Sequence, residues 1–328
     1  MTGLDDAALL AVVAIASALG ASTLPRASWP RRSPAAAIVL WQALGLASGL
    51  ATVGTLIGLA LPASNDGLVR SVLRAAALLR DGDVFGVAAM FGLRGPGGLG
   101  YDTAGVWTVA LVAARLACLA AGLALLTLLC WVLLAALAAA RQARRRQRTL
   151  LTLLAHGDPK VPGALVVDYP SAAAYCLPGL RSRIVVSVGT LELLGRRELA
   201  AVLAHERAHL RERHDLVLLP FTALRRAFPR SETCTRAHRA VALLVEMLAD
   251  DRALRDRPAR ELVTALARFG TAGICPAPAG ALAAGEGEVA ARVTRLLHPI
   301  RPLPAAAFLG ICLAAGVLVA APITLLVV

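Results

Sequence analysis

The chain has 328 residues, of which 58% are hydrophobic, and its mean hydropathy is +0.68. These values exclude an average soluble globular protein, whose apolar share is about 45–50%. The formal net charge is +13, and the six cysteines contain no CxxC pair, which excludes a disulfide framework and a thiolate metal site.

Four long runs of the sequence carry no charged residue: 7–24, 33–65, 116–140 and 302–328. A transmembrane helix needs about 20 mainly apolar residues, whereas an uncharged run in a buried core helix is usually shorter than about 14. We therefore predict four transmembrane helices, at about 7–24, 36–61, 114–138 and 305–328. The first is expected to be retained, because Asp5 and Asp6 precede it where a cleaved signal peptide is basic.

Arginine-rich segments predict the orientation of these helices. The loop Pro25–Pro34 carries three arginines and no acid, and the third span ends in the segment RQARRRQR. Two crossings separate the two segments, so they lie on the same side, which we expect to be the cytoplasm. The sequence thus predicts a multi-pass protein of the cell membrane with its N-terminus and C-terminus outside.

The predicted spans divide the chain into three parts: a membrane domain over 1–140, a cytoplasmic domain over 141–304 and the fourth span over 305–328. Between the second and third spans, GLVRSVLRAAALLR has the pattern of a helix lying in the membrane interface. Most of the positive charge lies in 141–304, and the anionic headgroups of the lipid bilayer are a sufficient partner for it. We expect no nucleic-acid partner, because no aromatic-rich or helix-turn-helix signature accompanies the charge.

The cytoplasmic part has the pattern of a mostly helical α+β domain with a small sheet. Short β-branched runs bounded by Pro and Gly predict strands at Ala164–Val167 and Arg183–Val188. Apolar residues at a spacing of three to four predict a helix after Gly195, and two more helices at Thr235–Leu254 and Glu261–Phe269. Residues 271–285 are rich in Ala, Gly and Pro and predict a loop.

The segment HERAH, within the first of these helices, indicates a metal site. On a helix, His205 and His209 lie on one face and can bind the same metal ion. Glu206 is offset by about 100° around the helix, so it can reach a metal-bound water without itself being a ligand. Zinc lowers the pKa of such a water and a carboxylate accepts its proton, so the motif is typical of hydrolytic zinc sites.

A hydrolytic zinc site also needs a third protein ligand. His214 and Asp215 follow closely, although the glycine that lets an extended zinc motif turn back is here Glu212. The other candidates lie in the segment VEMLADDRAL, where Glu246 and Asp250 share one face of a mostly apolar helix. Because a buried carboxylate needs a partner, we predict Glu246 as the third ligand and Asp250 as the residue that orients a ligating histidine.

HERAH followed by the glutamate of EMLAD resembles the membrane-embedded gluzincin peptidases, namely peptidase family M56 and its relative M48. The resemblance covers roughly residues 160–256, and four spans with a cytoplasmic domain between the third and fourth favour M56. It implies a zinc endopeptidase with one Zn²⁺ per chain, held by His205, His209 and Glu246, with Glu206 as general base. In these families substrate is thought to lie along an edge strand, which the resemblance places at Arg183, Ile184, Val185, Val186 and Ser187.

Several functional questions stay open at this level. The substrate implied by M56 is a protein or peptide, either a transcriptional repressor or the chain itself at Arg196–Arg197 or Arg225–Arg226. An M48-like role in quality control of membrane proteins is the alternative. A non-catalytic signal transducer or scaffold with structural zinc is a third reading, against which the presence of Glu206 argues. For the residue that stabilises the oxyanion, the candidates are Tyr175, His238 and His298.

Overall fold

A computed structural model of the chain describes residues 3–61, 68–83, 86, 103–158, 161–179, 182–271, 286–298 and 300–327. The chain divides into two compact units. The first, here called the apolar unit, contains Met1–Arg26, Val39–Trp131 and Ala306–Val328. The second, the mixed unit, contains Ala27–Ile38 and Val132–Ala305. The mixed unit groups Ala27–Ile38 with the later residues, and the predicted boundaries 1–140, 141–304 and 305–328 stay a prediction.

Among the described residues, four helices are long and apolar enough to cross a membrane, and they match the four predicted spans: Asp5–Arg26, Pro34–Ala60, Val109–Leu151 and Ala305–Val327. The α-helices that form these spans are α1 (Gly3–Thr23), α2 (Pro34–Ala60), α4 (Thr103–Leu154) and α11 (Ala305–Val327). A shorter helix, α3 (Leu68–Arg80), occupies the segment with the interfacial pattern. Four such apolar helices are the signature of a membrane protein.

Within the apolar unit, α2 packs against α4 through one buried cluster. Val53 and Ile57 of α2, and Leu61 directly after it, meet Val112 of α4. Gly122 brings the two helices close, because a Cβ at that position would lie 3.0 Å from the Ile57 side chain. Many other large side chains of these helices are exposed, as is expected where lipid replaces water around the protein.

The mixed unit contains one four-stranded sheet with the order β1-β2-β4-β3. The strands are β1 (Ala155–Gly157), β2 (Ala164–Val167), β3 (Ala174–Leu177) and β4 (Arg183–Ser187). β2 and β4 are the two predicted strands and pair in parallel, whereas β1 and β3 flank them in antiparallel pairs. β4 ends one residue earlier than predicted because the Ser187 side chain accepts a hydrogen bond from Thr190 N and caps the following helix.

The position of β4 corrects one expectation from the sequence. Arg183, Ile184, Val185, Val186 and Ser187 were expected to form an edge strand, but this strand is paired on both sides, with β2 and with β3. Its backbone N–H and C=O groups are therefore already hydrogen-bonded to the two neighbouring strands, so it cannot pair with a further strand. A β-branched run buried on both faces is typical of an interior strand, and Val185 and Val186 are buried. The edge next to β4 is β3.

Six further helices lie in the part of the mixed unit that the structure describes. They are α5 (Val188–Leu193), α6 (Arg196–Arg211), α7 (His214–Ala227), α8 (Glu232–Ala253), α9 (Ala259–Thr271) and α10 (Glu286–Leu297). The three predicted helices correspond to α6, α8 and α9. Nearly all of the predicted loop, residues 272–285, lies outside the described residues. One face of the sheet packs against Leu199, Val202 and Leu203 of α6, and this apolar contact holds the helix against that face.

The short segment Trp29–Arg32 between α1 and α2 packs within the mixed unit. Arg295 of α10 donates to the backbone oxygen of Arg31 at 2.9 Å, and Arg32 donates to the backbone oxygen of Arg301 at 3.1 Å. The same Arg295 binds both oxygens of Asp251 on α8, at 2.6 and 2.9 Å. The segment is therefore attached to both α8 and α10.

A sharp turn between α6 and α7 depends on Arg213, the residue with a backbone φ of +54°. This left-handed conformation costs a non-glycine residue about 1–2 kcal/mol. We expect Arg213→Gly to raise the free energy of unfolding by about 0.5–1 kcal/mol, after the added flexibility of the unfolded chain is taken into account. Thermal unfolding in detergent measures the change.

The matched control is Arg239→Gly, at an exposed position inside α8. It is expected to lower the free energy of unfolding by about 1 kcal/mol, the ordinary cost of glycine in a helix. Equal destabilisation by both variants would contradict the claim that the left-handed backbone at Arg213 is strained.

Candidate active site

The helices α6 and α8 approach each other closely because the side chains between them are small. Ala201 of α6 and Ala253 of α8 belong to one buried cluster, and Ala249 is fully buried. α6 begins after Gly195, whose backbone N–H donates to the Glu198 carboxylate. This packing brings the polar face of α6 against the carboxylates of α8.

The three residues predicted as metal ligands meet at this contact. His205 Nε2 lies 3.1 Å from His209 Nε2, as their spacing of one helical turn requires. The Glu246 carboxylate closes the group, with Oε2 3.3 Å from His205 Nε2 and Oε1 3.5 Å from His209 Nε2. All three ligand atoms lie within 4.8 Å of one another, and the residues are mostly buried. Two imidazoles and one carboxylate are the donor set of a hydrolytic zinc site with an open fourth position.

The protonation of the two histidines differs although they are neighbours. Burial lowers the pKa of His209 to about 3, so its ring is neutral and keeps a lone pair for a metal. Burial also lowers the pKa of His205, but hydrogen bonding to Asp250 and Glu246 outweighs it and raises the pKa to about 9. A proton and a metal therefore compete for the His205 ring.

Asp250 lies where the sequence predicted an orienting carboxylate. Its Oδ1 is 3.0 Å from His205 Nδ1, the ring nitrogen that faces away from Glu246. The side chain is fully buried. A carboxylate at that nitrogen favours the ring orientation and tautomer in which Nε2 is free to bind a metal.

Glu206 follows His205 on α6 and does not join the three donors. Burial raises the pKa of its carboxyl to about 7, and the charge of His205 opposes the rise. The Cys176 side chain, on β3, hydrogen-bonds to Glu206. Burial raises the pKa of the Cys176 thiol well above its usual value, so the thiol stays protonated and serves as a donor.

Arg292 of α10 is the residue of this site that the sequence reading missed. Its guanidinium binds both oxygens of Asp250, at 2.9 and 2.6 Å, and lies 2.8 Å from Glu246 Oε2. Hydrogen bonding to His205, together with the charge of Arg292, holds the pKa of both carboxyls below their usual values, although burial alone would raise them. A signal was present, because Arg292 falls between Val289 and Leu296 on the apolar stripe of an amphipathic helix.

The charges of the site also fit a divalent cation. Glu206, Glu246 and Asp250 carry three negative charges when ionised, and Arg292 supplies one positive charge against them once a metal has displaced the proton of His205. A buried charge without an opposite charge nearby destabilises a protein. A dication bound by the three donors would balance the negative charge that Arg292 does not. The donor geometry and the charge thus agree.

The other candidates for a third ligand lie elsewhere. The Asp215 carboxylate pairs with Arg144 at 2.6 Å. His214 Nδ1 lies 2.9 Å from His209 Nδ1, on the other side of that ring from the Nε2 that faces Glu246. Neither residue is therefore placed to join His205 and His209 as a ligand.

The three oxyanion candidates lie at other positions of the fold. Tyr175 packs with Leu177 and Val185, on the face of the sheet opposite to Cys176. His238 precedes Glu246 by two turns of α8, about 12 Å along the axis. His298 follows α10 and is exposed.

The fold and the site define a class, the membrane-type metallopeptidases: apolar spans, a helix with both histidines below a small sheet, and a glutamate from a second helix. Comparison with known families agrees, because the model of peptidase family M48 matches residues 121–234. The match supports family M48 and does not extend to M56. It covers HERAH but ends before Glu246, so the third ligand depends on the geometry. No curated protein and no solved structure matches the chain.

Proposed function

We propose that the chain is an integral membrane zinc endopeptidase that hydrolyses proteins or peptides at the cytoplasmic membrane face. The observation that carries the proposal is the convergence of His205, His209 and Glu246, with a further carboxylate, Glu206, beside them and not among the donors. A purely structural zinc site has no need of such a carboxylate. The family match to M48 supports the protease.

The mechanism assigns a separate task to each side chain. Zinc, when bound, would lower the pKa of a water and polarise the peptide carbonyl. Glu206 accepts the proton of the attacking water and returns it to the leaving nitrogen, and a pKa near 7 suits both transfers. Cys176 donates to Glu206 and restrains its carboxylate, while Arg292 pairs with the Glu246 and Asp250 carboxylates.

We place the substrate along β3 rather than β4. Ser187 N donates to Ala173 O at 2.8 Å, and hydrogen-bonded positions alternate along an antiparallel pair. The backbone groups of Ala174 and Cys176 therefore point away from β4. An extended peptide that pairs with them would pass next to Glu206, because the Cys176 side chain contacts it. Substrates are thus expected to bind in an unfolded, extended form.

The M48 match favours quality control of membrane proteins over cleavage of a transcriptional repressor. Self-cleavage at the two arginine pairs is disfavoured by local structure. Arg196–Arg197 begins α6, and Arg225–Arg226 lies in the last turn of α7. A peptide bond in a helix must be unwound before it can pair with an edge strand, and unwinding at Arg196 would disturb the helix of the two histidines.

Metal analysis tests the proposal directly. The detergent-purified protein is expected to hold about one zinc ion per chain and to cleave unfolded casein until a chelator removes the metal. Glu246→Ala is expected to weaken zinc binding more than about 100-fold, because it removes a ligand.

The control for this test is Glu232→Ala, at an exposed position of the same helix, which is expected to behave like the parent. A parent protein that binds no zinc would end the metallopeptidase proposal. Full zinc binding by Glu246→Ala would move the third ligand to another residue.

A further inference from the structure

A second set of polar side chains lies behind His209. His214 opens α7 directly after the left-handed turn at Arg213, and it is 2% exposed. Its ring meets the His209 ring edge to face, with centroids 4.8 Å apart. The two Nδ1 atoms are separated by 2.9 Å, so one of them must carry a proton that the other accepts.

The direction of this hydrogen bond follows from the proposed metal site. His209 Nε2 faces Glu246 and must offer a lone pair to a metal, so its proton sits on Nδ1. His214 Nδ1 is then the acceptor, and the His214 proton sits on Nε2. The His214 Nε2 atom is buried and has no hydrogen-bond partner among the described residues. The Glu212 Oε2 atom lies 3.8 Å from it.

Glu212 is itself fixed by an ion pair with Arg252 of α8. Its negative charge favours a proton on the near nitrogen of His214, which is the tautomer that the acceptor role requires. The arrangement repeats the one on the other histidine, where His205 meets Asp250 and Asp250 is held by Arg292. Each histidine on α6 thus has its own partner: Asp250 is held directly by Arg292, and His214 is linked to Arg252 through Glu212.

We propose that His214 is a positioning residue for the metal: it accepts the Nδ1 proton of His209 and holds that ring with Nε2 towards Glu246. Glu212, anchored by Arg252, sets the tautomer of His214. The proposal rests on the zinc-peptidase function proposed above. Partners of this kind change metal affinity by about 10–100-fold when they are removed.

Two substitutions at one position separate this role from simple packing. His214→Asn keeps an acceptor oxygen near the position of Nδ1, whereas His214→Leu fills the space without one. Zinc affinity, measured by competition with a chromophoric chelator, is expected to fall about 10–100-fold in His214→Leu and to stay within about threefold of the parent in His214→Asn. The visible spectrum of the cobalt-substituted proteins is expected to change in the leucine variant alone.

A purely structural histidine would give the opposite order, because leucine suits a buried site better than asparagine. Parent-like zinc affinity and cobalt spectrum in His214→Leu would overturn the proposal and leave the peptidase function standing. A parent without zinc would instead refute the proposed function itself.

Direct measurement of the two histidine tautomers tests the proposal even when the leucine variant fails to fold. In the zinc-loaded parent, long-range proton–nitrogen spectra are expected to show His209 protonated at Nδ1 and His214 protonated at Nε2. The metal is essential in this sample because it fixes the His209 tautomer. A His214 proton on Nδ1 would overturn the proposal.

Discussion

Glu206→Gln is expected to abolish peptide cleavage while zinc binding stays at the level of the parent. Glutamine has nearly the shape of glutamate but cannot accept the proton of the attacking water. Loss of a general base costs about 10²–10⁴-fold in rate, so casein cleavage should fall to background. Because Glu206 is not among the three donors, the metal content should not change. Zinc content and cleavage are measured on the same preparation.

Glu192→Gln is the matched control, since it makes the same chemical change at an exposed position of α5. It should cleave at the parental rate. Cleavage by Glu206→Gln at that rate would exclude the proposed general base. Loss of zinc from Glu206→Gln would show that this carboxylate supports the metal rather than the chemistry.

Arg292→Met is expected to destabilise the metal-free protein by about 3–5 kcal/mol, the usual cost of leaving a buried charge without its partner. The side chain is 5% exposed and pairs with two buried carboxylates, Glu246 and Asp250. Zinc should restore part of the loss, because a dication pairs with Glu246. The shift in unfolding temperature caused by zinc should therefore be larger in the variant than in the parent.

Unfolding is measured with chelator and with zinc, for Arg292→Met, Arg292→Lys and Arg295→Met. The lysine variant keeps the charge but loses the two-pronged contact with Asp250, so an intermediate effect is expected. Arg295→Met lies one turn further along α10 and pairs with Asp251, a more exposed acid, so its effect should be smaller. Equal effects of Arg292→Met and Arg295→Met would show that Arg292 has no special place in the site.

The histidine pair could be predicted from the sequence because its geometry is local. Two residues four positions apart on a helix share a face whatever the rest of the chain does. Glu246 and Asp250 followed from a weaker but still local fact, two carboxylates on one face of an apolar helix. Arg292 lies 42 residues beyond Asp250, and no periodic pattern specifies which helix will cover α8. An arginine on an apolar stripe indicates a buried partner but does not name it.

The order of the strands was the clearest failure of the sequence reading. The run RIVVS predicts a strand, and its β-branched residues are typical of an interior one. Whether a strand is an edge depends on its neighbours, and β3 has the sequence AYCL, which carries little strand signal. Sheet order is set by packing between distant segments, so it was visible only in the structure.

The segment Ala27–Ile38 has a consequence for how the protein is made. The contact between Arg31 and Arg295 joins residues 264 positions apart, and the contact between Arg32 and Arg301 joins residues 269 apart. During synthesis this segment emerges long before α10, so the two contacts form only after the residues between them have been made. The mixed unit is completed only then. A half-made chain still lacks Arg292, which pairs with Glu246 and Asp250 beside the histidines. A recombinant fragment that starts after the third span would lack the same segment.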